Sequence, residues 1–253
     1  MEGKCKLCHE SKELIKRSHL FPNFMYNGIP DEKNRMIVVS SAKPLEKKQV
    51  QTGALDEHIL CANCDNSVLG ELERYASNIF YKKSYLQANE DFEQLTPNPN
   101  VNLIFCKKID FSKFKLFLES LLWRASVTSH SMFEDFKLSD EQEEELRISI
   151  LNHHPLNEAS FPCVMMTCEN EDVKTDFVGI DPNNKDMVKF YINQFTYTFY
   201  WGNDKINYET ISMALRSDNT MIVVKLAEND WHKIRASIVD AFRTASVPNL
   251  PKK

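Results

Sequence analysis

Cys5-Lys6-Leu7-Cys8 and Cys61-Ala62-Asn63-Cys64 each place two thiols on one tight turn. That spacing suits half of a tetrahedral zinc site. Two matched pairs supply four soft thiolates and fill the shell, so the ion they imply is structural: no position is left for water or substrate. Zinc binding would contribute on the order of 10 kcal/mol to folding a segment with little core of its own. The 52 residues between Cys8 and Cys61 exceed the usual ribbon spacing. His9, directly after Cys8, finds the shell already complete and reads as solvent-facing. The interval between the pairs holds Ser18-His19-Leu20-Phe21-Pro22, a histidine whose ordinary pKa lies near working pH.

Elements that could position these groups follow from periodicity. Met36 to Ser40 reads as a strand, and Leu55 to Cys61 leads into the second thiol turn. Val68, Leu69, Leu72, Tyr75, Ala76, Ile79 and Phe80 recur at helical steps. Asp65, Asn66 or Ser67 is placed to cap that helix, with Glu71 and Glu73 near its start. Thr96-Pro97-Asn98-Pro99-Asn100 is a breaker and marks the expected boundary. Beyond it the pattern predicts a strand over 101–107, then a helix over 111–129 with one apolar stripe. Ser139 opens a further helix that ends at His153-His154-Pro155, with Glu143 to Glu145 on a solvated face. Strands follow over 163–167, 177–180, 188–192, 195–201 and 221–226, and a closing helix over Trp231–Ala245. Trp123 and the aromatic run from Tyr191 to Trp201 read as core or dimer contact. The expected fold class is α+β. A zinc-stapled module with its trailing helix occupies residues 1–95, and an α+β domain with an antiparallel sheet occupies residues 101–253.

Composition excludes several classes. There is no apolar run of membrane-spanning length and no apolar signal-peptide core after Met1-Glu2-Gly3-Lys4. A cytoplasmic, reducing compartment is therefore expected, where the seven cysteines are not a disulfide framework. Cys106, Cys163 and Cys168 sit in apolar surroundings and read as small buried hydrophobes. The net charge of −5 is unevenly spread. Residues 1–90 carry 13 Lys and Arg against 12 Asp and Glu, and residues 91–253 carry 18 against 24. The C-terminal part would repel a polyphosphate backbone unaided.

The order of these words resembles the zinc-bearing HNH endonucleases. That family carries a first C-x-x-C, an Asp/His-His-x-x-Pro word on a strand, and a second C-x-x-C followed at once by His or Asn opening a helix. Here Cys5-x-x-Cys8, Ser18-His19-Leu20-Phe21-Pro22 and Cys61-x-x-Cys64-Asp65 stand in that order, over roughly residues 5–80. The resemblance implies an HNH-like ββα-metal module with structural zinc. It implies His19 as general base on water attacking a phosphodiester of DNA. It implies Asp65 as ligand of a catalytic Mg²⁺ or Mn²⁺, and Lys16 and Arg17 as phosphate contacts. A role in bacterial defence against phage follows by analogy only. The chain is also similar to a group of uncharacterised bacterial proteins through Ser-His-x-x-Pro, Leu-Cys-x-x-Cys-acidic and Leu122-Trp123-Arg124-Ala125-Ser126. That second likeness carries no known activity.

The chain departs from the HNH pattern at named positions. Ser18 stands where the family has a second metal ligand, and Asp56 stands at the place of the middle Asn. An ionised carboxylate there cannot donate the hydrogen bond that an Asn would. Glu71, Glu73 and His58 are the residues that could replace a ligand, and helix phase leaves the choice between the two glutamates open. His19 reads equally as a structural histidine, and Asp65 as an N-cap. Three functions therefore compete: an endonuclease, a zinc module that has lost catalysis and docks nucleic acid or protein, and an interaction protein whose acidic C-terminal part acts as a dimer or partner surface.

Overall fold

Every residue from Phe114 to Val127 is buried, including Lys115, Glu119 and Arg124. This helix is the centre about which the rest is arranged. A computed structural model of the chain describes residues 1–29, 36–39, 47–50, 53–82, 89–98, 101–170, 172–173, 177–184, 186–202, 206–234 and 236. Strands β1 (Glu2–Lys4) and β2 (Ser11–Glu13) pair antiparallel around the first thiol turn. Strands β3 (Ser18–His19) and β6 (Leu55–Asp56) form a second small sheet, with Ser18 opposite Asp56. Between them in sequence, β4 (Met36–Val39) and β5 (Lys47–Val50) belong to a different sheet.

That larger sheet has nine strands in the order β5-β4-β10-β11-β12-β9-β13-β8-β7. Its further members are β7 (Phe92–Asn98), β8 (Val101–Cys106), β9 (Cys163–Cys168), β10 (Phe177–Asn184), β11 (Met187–Ile192), β12 (Phe195–Tyr200) and β13 (Met221–Leu226). The pairs β4–β10 and β9–β13 are parallel, and the other neighbours run antiparallel. The expected α+β class holds, with a large antiparallel-rich sheet containing two parallel pairs.

Helices α1 to α4 pack with these sheets, and a further helix begins at residue 228. α1 (Gly70–Ala76) is extended at both ends by wider π-type turns, Asn63–Leu69 and Ser77–Tyr81. α2 (Phe111–Val127) starts at Asp110, whose carboxylate accepts from the Lys113 N–H at 3.0 Å. α3 (Asp140–Leu151) opens with a capping box between Ser139 and Gln142. α4 (Tyr208–Met213) is short and was not expected from periodicity. α1 and α3 both pack on α2.

Several expectations change. α2 is buried all round from Phe114 to Val127 rather than along one apolar stripe, its polar Lys115, Glu119, Ser120, Arg124 and Ser126 included. The breaker at 96–100 falls where β7 and β8 pair, with Asn98 opposite Val101, and the register shifts between Leu95 and Asn98. Buried side chains from both sides of it join one contiguous core. Ala62, inside the second thiol turn, holds the cap position of the helical run from Asn63 without a side-chain bond, so Asp65 lies within the first turn of that run instead of capping it. Glu143 is tied rather than solvated: its carboxylate accepts from Ser126 Oγ at 2.6 Å and pairs with Lys137 at 2.8 Å. The final helix begins at residue 228 and is described through 234 and at 236. The remainder of the expected span, to Ala245, lies outside the described residues. Trp123, Phe195, Tyr197 and Phe199 are core. So are Cys106, Cys163 and Cys168.

Candidate functional site

Short-range hydrogen bonds build the first thiol turn. The Cys5 N–H donates to Glu10 O at 3.0 Å and the His9 N–H to Cys5 O at 2.9 Å. His9 adopts φ 60, the left-handed conformation that reverses the chain before β2. The second turn is brought over it by long-range pairs. Leu14 bridges Cys61, Lys6 N–H donates to Ile59 O, and Ile15 N–H donates to Leu60 O, the last two at 2.9 Å. The sulfurs of Cys5, Cys8, Cys61 and Cys64 consequently lie within 4.8 Å of one another. A tetrahedral zinc with bonds of ~2.3 Å needs sulfurs about 3.8 Å apart. The four residues therefore fit a closed zinc shell in donor type and in spacing. Cys5, Cys61 and Cys64 are buried, and Cys8 is half-exposed.

The thiols also interact electrically. A hydrogen bond from Cys64, reinforced by backbone N–H groups, outweighs burial and draws the Cys5 thiol down to about 4. Cys64 is pushed up, first by sharing its proton with Cys5 and then by burial. Burial also raises Cys8. One thiolate beside protonated thiols is the state that a soft cation completes by displacing the remaining protons.

His19 sits one strand away. β3 carries it with the Leu20 and Phe21 side chains fully buried, Phe21 lying 5.2 Å from Phe190 and 5.5 Å from Phe133 between ring centroids. The Leu20 N–H donates to Ala54 O at 2.9 Å. Gly53 keeps this crossing tight, because a Cβ there would meet the Tyr26 ring at 2.1 Å. Tyr26 is itself buried, and its hydroxyl accepts from the Ala54 N–H at 3.0 Å. With its neighbours locked, His19 faces an open cavity of about 390 Å³. Asp65, Asn66, Gly70, Glu73, Arg74, Ser77 and Lys82 line it from the helical run, and Asn23 and Phe24 from the turn after Pro22. Phe24, on the cavity wall, packs edge-on against Tyr81 at 4.8 Å.

Burial lowers the His19 pKa below its ordinary value of 6.5. The carboxylates of Glu73 and Asp65 oppose that shift, and the Arg124 guanidinium adds to it. The imidazole is therefore neutral at pH 7. Glu73, one quarter exposed, accepts from Arg124 Nη1 at 2.9 Å. The same nitrogen donates to the His19 carbonyl at 3.0 Å.

The other sequence-flagged residues are distributed unevenly. Asp65 and Glu73 line the cavity with His19, whereas Glu71 is exposed and does not. Lys16 and Arg17 are exposed and lie outside the lining. Ser18 is fully buried away from it, its hydroxyl without a partner. Asp56 faces the opposite side. Its carboxylate accepts from Thr128 Oγ1 at 2.5 Å, from Ser129 N–H at 3.2 Å and from Glu57 N–H at 2.8 Å, tying β6 to the end of α2. His58 takes a left-handed turn with φ 56. Among the described residues the cysteine tetrad is the one set of three or more ligating side chains gathered closely enough for an ion. Asp65, Glu73 and His19 share the cavity without converging to that degree. Sequence reasoning assigned no role to Arg124, Arg74 or Lys82. The signal for Arg124 was a guanidinium inside an otherwise apolar stretch, Leu121 to Ala125.

Comparison with known proteins adds no identity: no family model, no curated protein and no solved structure matches this chain.

Proposed function

We propose that this chain is a divergent HNH-type endonuclease that hydrolyses DNA phosphodiesters beside a structural zinc. The observation that carries the reading is a neutral, half-buried imidazole facing two carboxylates across an open polar cavity, one strand from a four-thiolate shell. In this reading His19 takes the proton from an attacking water. Its lowered pKa leaves it unprotonated and ready at pH 7. Arg74 and Lys82 on the cavity wall, with Lys16 and Arg17 outside it, attract the phosphate backbone. A divalent cation, when bound, would offset charge on the leaving oxygen. Asp65 and Glu73 are the oxygen donors facing the cavity, and they are not gathered as a ligand set, so no step is assigned through that ion.

A specific observation favours a second reading, a zinc module that binds nucleic acid or a protein partner without cleaving. Glu73 is already paired with Arg124, and Ser18 is turned away from the cavity. Plasmid cleavage with Mg²⁺ or Mn²⁺ separates the two. Under the first reading wild type nicks or linearises plasmid, and His19→Ala does not while retaining one zinc per chain. Equal cleavage by both proteins removes His19 from the chemistry. Binding without cleavage by wild type favours the second reading, and no DNA binding at low salt leaves only a protein-interaction role.

A further inference from the structure

Arg124 is 1% exposed, yet it carries a full charge. Burying a guanidinium is costly unless its N–H groups are matched by acceptors. Here they are matched across three elements. Nε donates to Ser120 O at 3.3 Å and Nη2 to Ser120 Oγ at 3.4 Å, which fix the fork on α2. Nη1 then donates forward to the His19 carbonyl at 3.0 Å and to Glu73 Oε1 at 2.9 Å. One nitrogen therefore joins the main chain of β3 to a side chain of α1.

We infer that Arg124 is the positioning residue of the His19 cavity: from α2 it sets the separation between the imidazole-bearing strand and the Glu73 carboxylate. The inference rests on His19 being the working group of this cavity, and it gives a task to a word, Leu122 to Ser126, that otherwise had none. The neighbours of the guanidinium in that word serve the same placement. Trp123 is buried in the core. Ser126 Oγ donates to Glu143 and accepts from the Leu138 N–H at 2.8 Å, which fixes the end of α2 against α3. A planar fork is required because the same group must satisfy acceptors in front of it and behind it. An ammonium offers one point of charge and cannot span Ser120 and Glu73 together.

The charge matters as well as the tie. The groups facing His19 are the Glu73 and Asp65 carboxylates on the helical run and the Arg124 guanidinium on α2, with Arg74 and Lys82 also on the cavity wall. Arg124 neutralises Glu73 while adding a positive charge behind the imidazole. An inert bracket would do neither.

The test reads the His19 ring resonances by NMR in zinc-loaded protein, assigned by their loss in His19→Ala. Titration midpoints are compared among wild type, Arg124→Lys and Arg124→Gln, each checked for one zinc per chain. Arg124→Gln is expected to raise the midpoint by about half a pH unit or more, and Arg124→Lys, which keeps the charge but loses the fork, to raise it by less. If Arg124→Gln does not fold, Glu73→Gln decides. It approaches the pair from its partly exposed side and is expected to lower the midpoint. Unchanged midpoints in the folded variants overturn the inference. These readouts need no cleavage, so an inactive wild type would sink the nuclease reading and leave the positioning claim standing. If wild type does cleave, Arg124→Gln should lower kcat with little change in KM.

Discussion

Removing the zinc that the four cysteines are placed to hold is the most demanding test of this architecture. Three of the four thiols are almost wholly buried, at 0%, 2% and 1% exposure for Cys5, Cys61 and Cys64. They belong to the same core as α2. The first thiol turn is tied onward to α3, where Arg147 Nη1 donates to Leu7 O at 2.7 Å, and to α2, where Lys6 Nζ donates to Val127 O. Zinc in such a shell is worth on the order of 10 kcal/mol, as much as the whole net stability of an ordinary domain, about 5–15 kcal/mol. For a chain of 253 residues, each kcal/mol corresponds to roughly 2–4 °C in Tm. Chelation, or Cys64→Ser, is therefore expected to lower the melting temperature by about 20 °C or more. The assay pairs elemental analysis of purified protein with thermal unfolding in the presence and absence of a strong chelator. The effect also has a required pH dependence. Cys8 and Cys64 are held protonated in the metal-free shell, so zinc must displace at least their two protons. Its apparent affinity should thus fall on the order of 100-fold per pH unit on acidification below 7. A preparation with no zinc, or with one zinc whose removal leaves the melt unchanged, would refute the reasoning.

Three further outcomes are expected. On the proposed nuclease reading His19 works unprotonated and burial lowers its pKa, so the cleavage rate should be level near pH 7 and decline only as pH falls through a value below 6.5. A single-turnover pH profile checks this, and His19→Ala should reduce the rate at least ~100-fold. Asp56→Ala removes the acceptor of the Thr128 hydroxyl and of the Ser129 N–H, both open in part to water, at a cost of about 1–2 kcal/mol, readable as a lower urea midpoint with an unchanged slope. Gly53→Ala drives a methyl into the buried Tyr26 ring and should cost about 1–3 kcal/mol. Tyr26→Leu in the same chain should relieve part of that cost, which a double-mutant cycle would measure.

The thiol pairs were legible because their information is local: two residues between cysteines fixes a turn wherever the chain goes. Seven of the nine strands of the large sheet were legible as apolar runs for the same reason, and β5, which reads Lys-Lys-Gln-Val, and β7 were not. What failed depended on distant partners. Lys115, Glu119 and Arg124 break the apolar pattern of α2, so the helix reads as one stripe. Each is buried only because a remote acceptor or donor meets it: the Phe161 carbonyl at 3.3 Å, the Leu156 N–H at 3.1 Å and the Glu73 carboxylate. The choice between Glu71 and Glu73 was hidden by the π-type turns flanking α1, which advance the phase differently from 3.6 residues per turn. β7 was obscured by Pro97, tolerated because β7 is an edge strand and needs no ladder donor on its outer side.

The groups around the cavity are each held from behind by a different anchor, and this decides how the site should fail. Asp65 follows Cys64 directly, and its N–H donates to Cys61 O at 3.1 Å, so its place depends on the thiol shell. Glu73 and the His19 main chain depend on Arg124 instead. Loss of zinc should therefore disturb Asp65 first, and loss of the guanidinium should disturb Glu73 and His19 together. Chelation at a temperature where the fold persists ought to shift the backbone resonances of Asp65 and Asn66 more than those of Glu73. Arg124→Gln ought to give the reverse order. If both perturbations moved all three groups alike, the cavity would be one cooperative unit rather than a meeting point of two independent supports, and the separate roles of zinc and Arg124 would have to be given up.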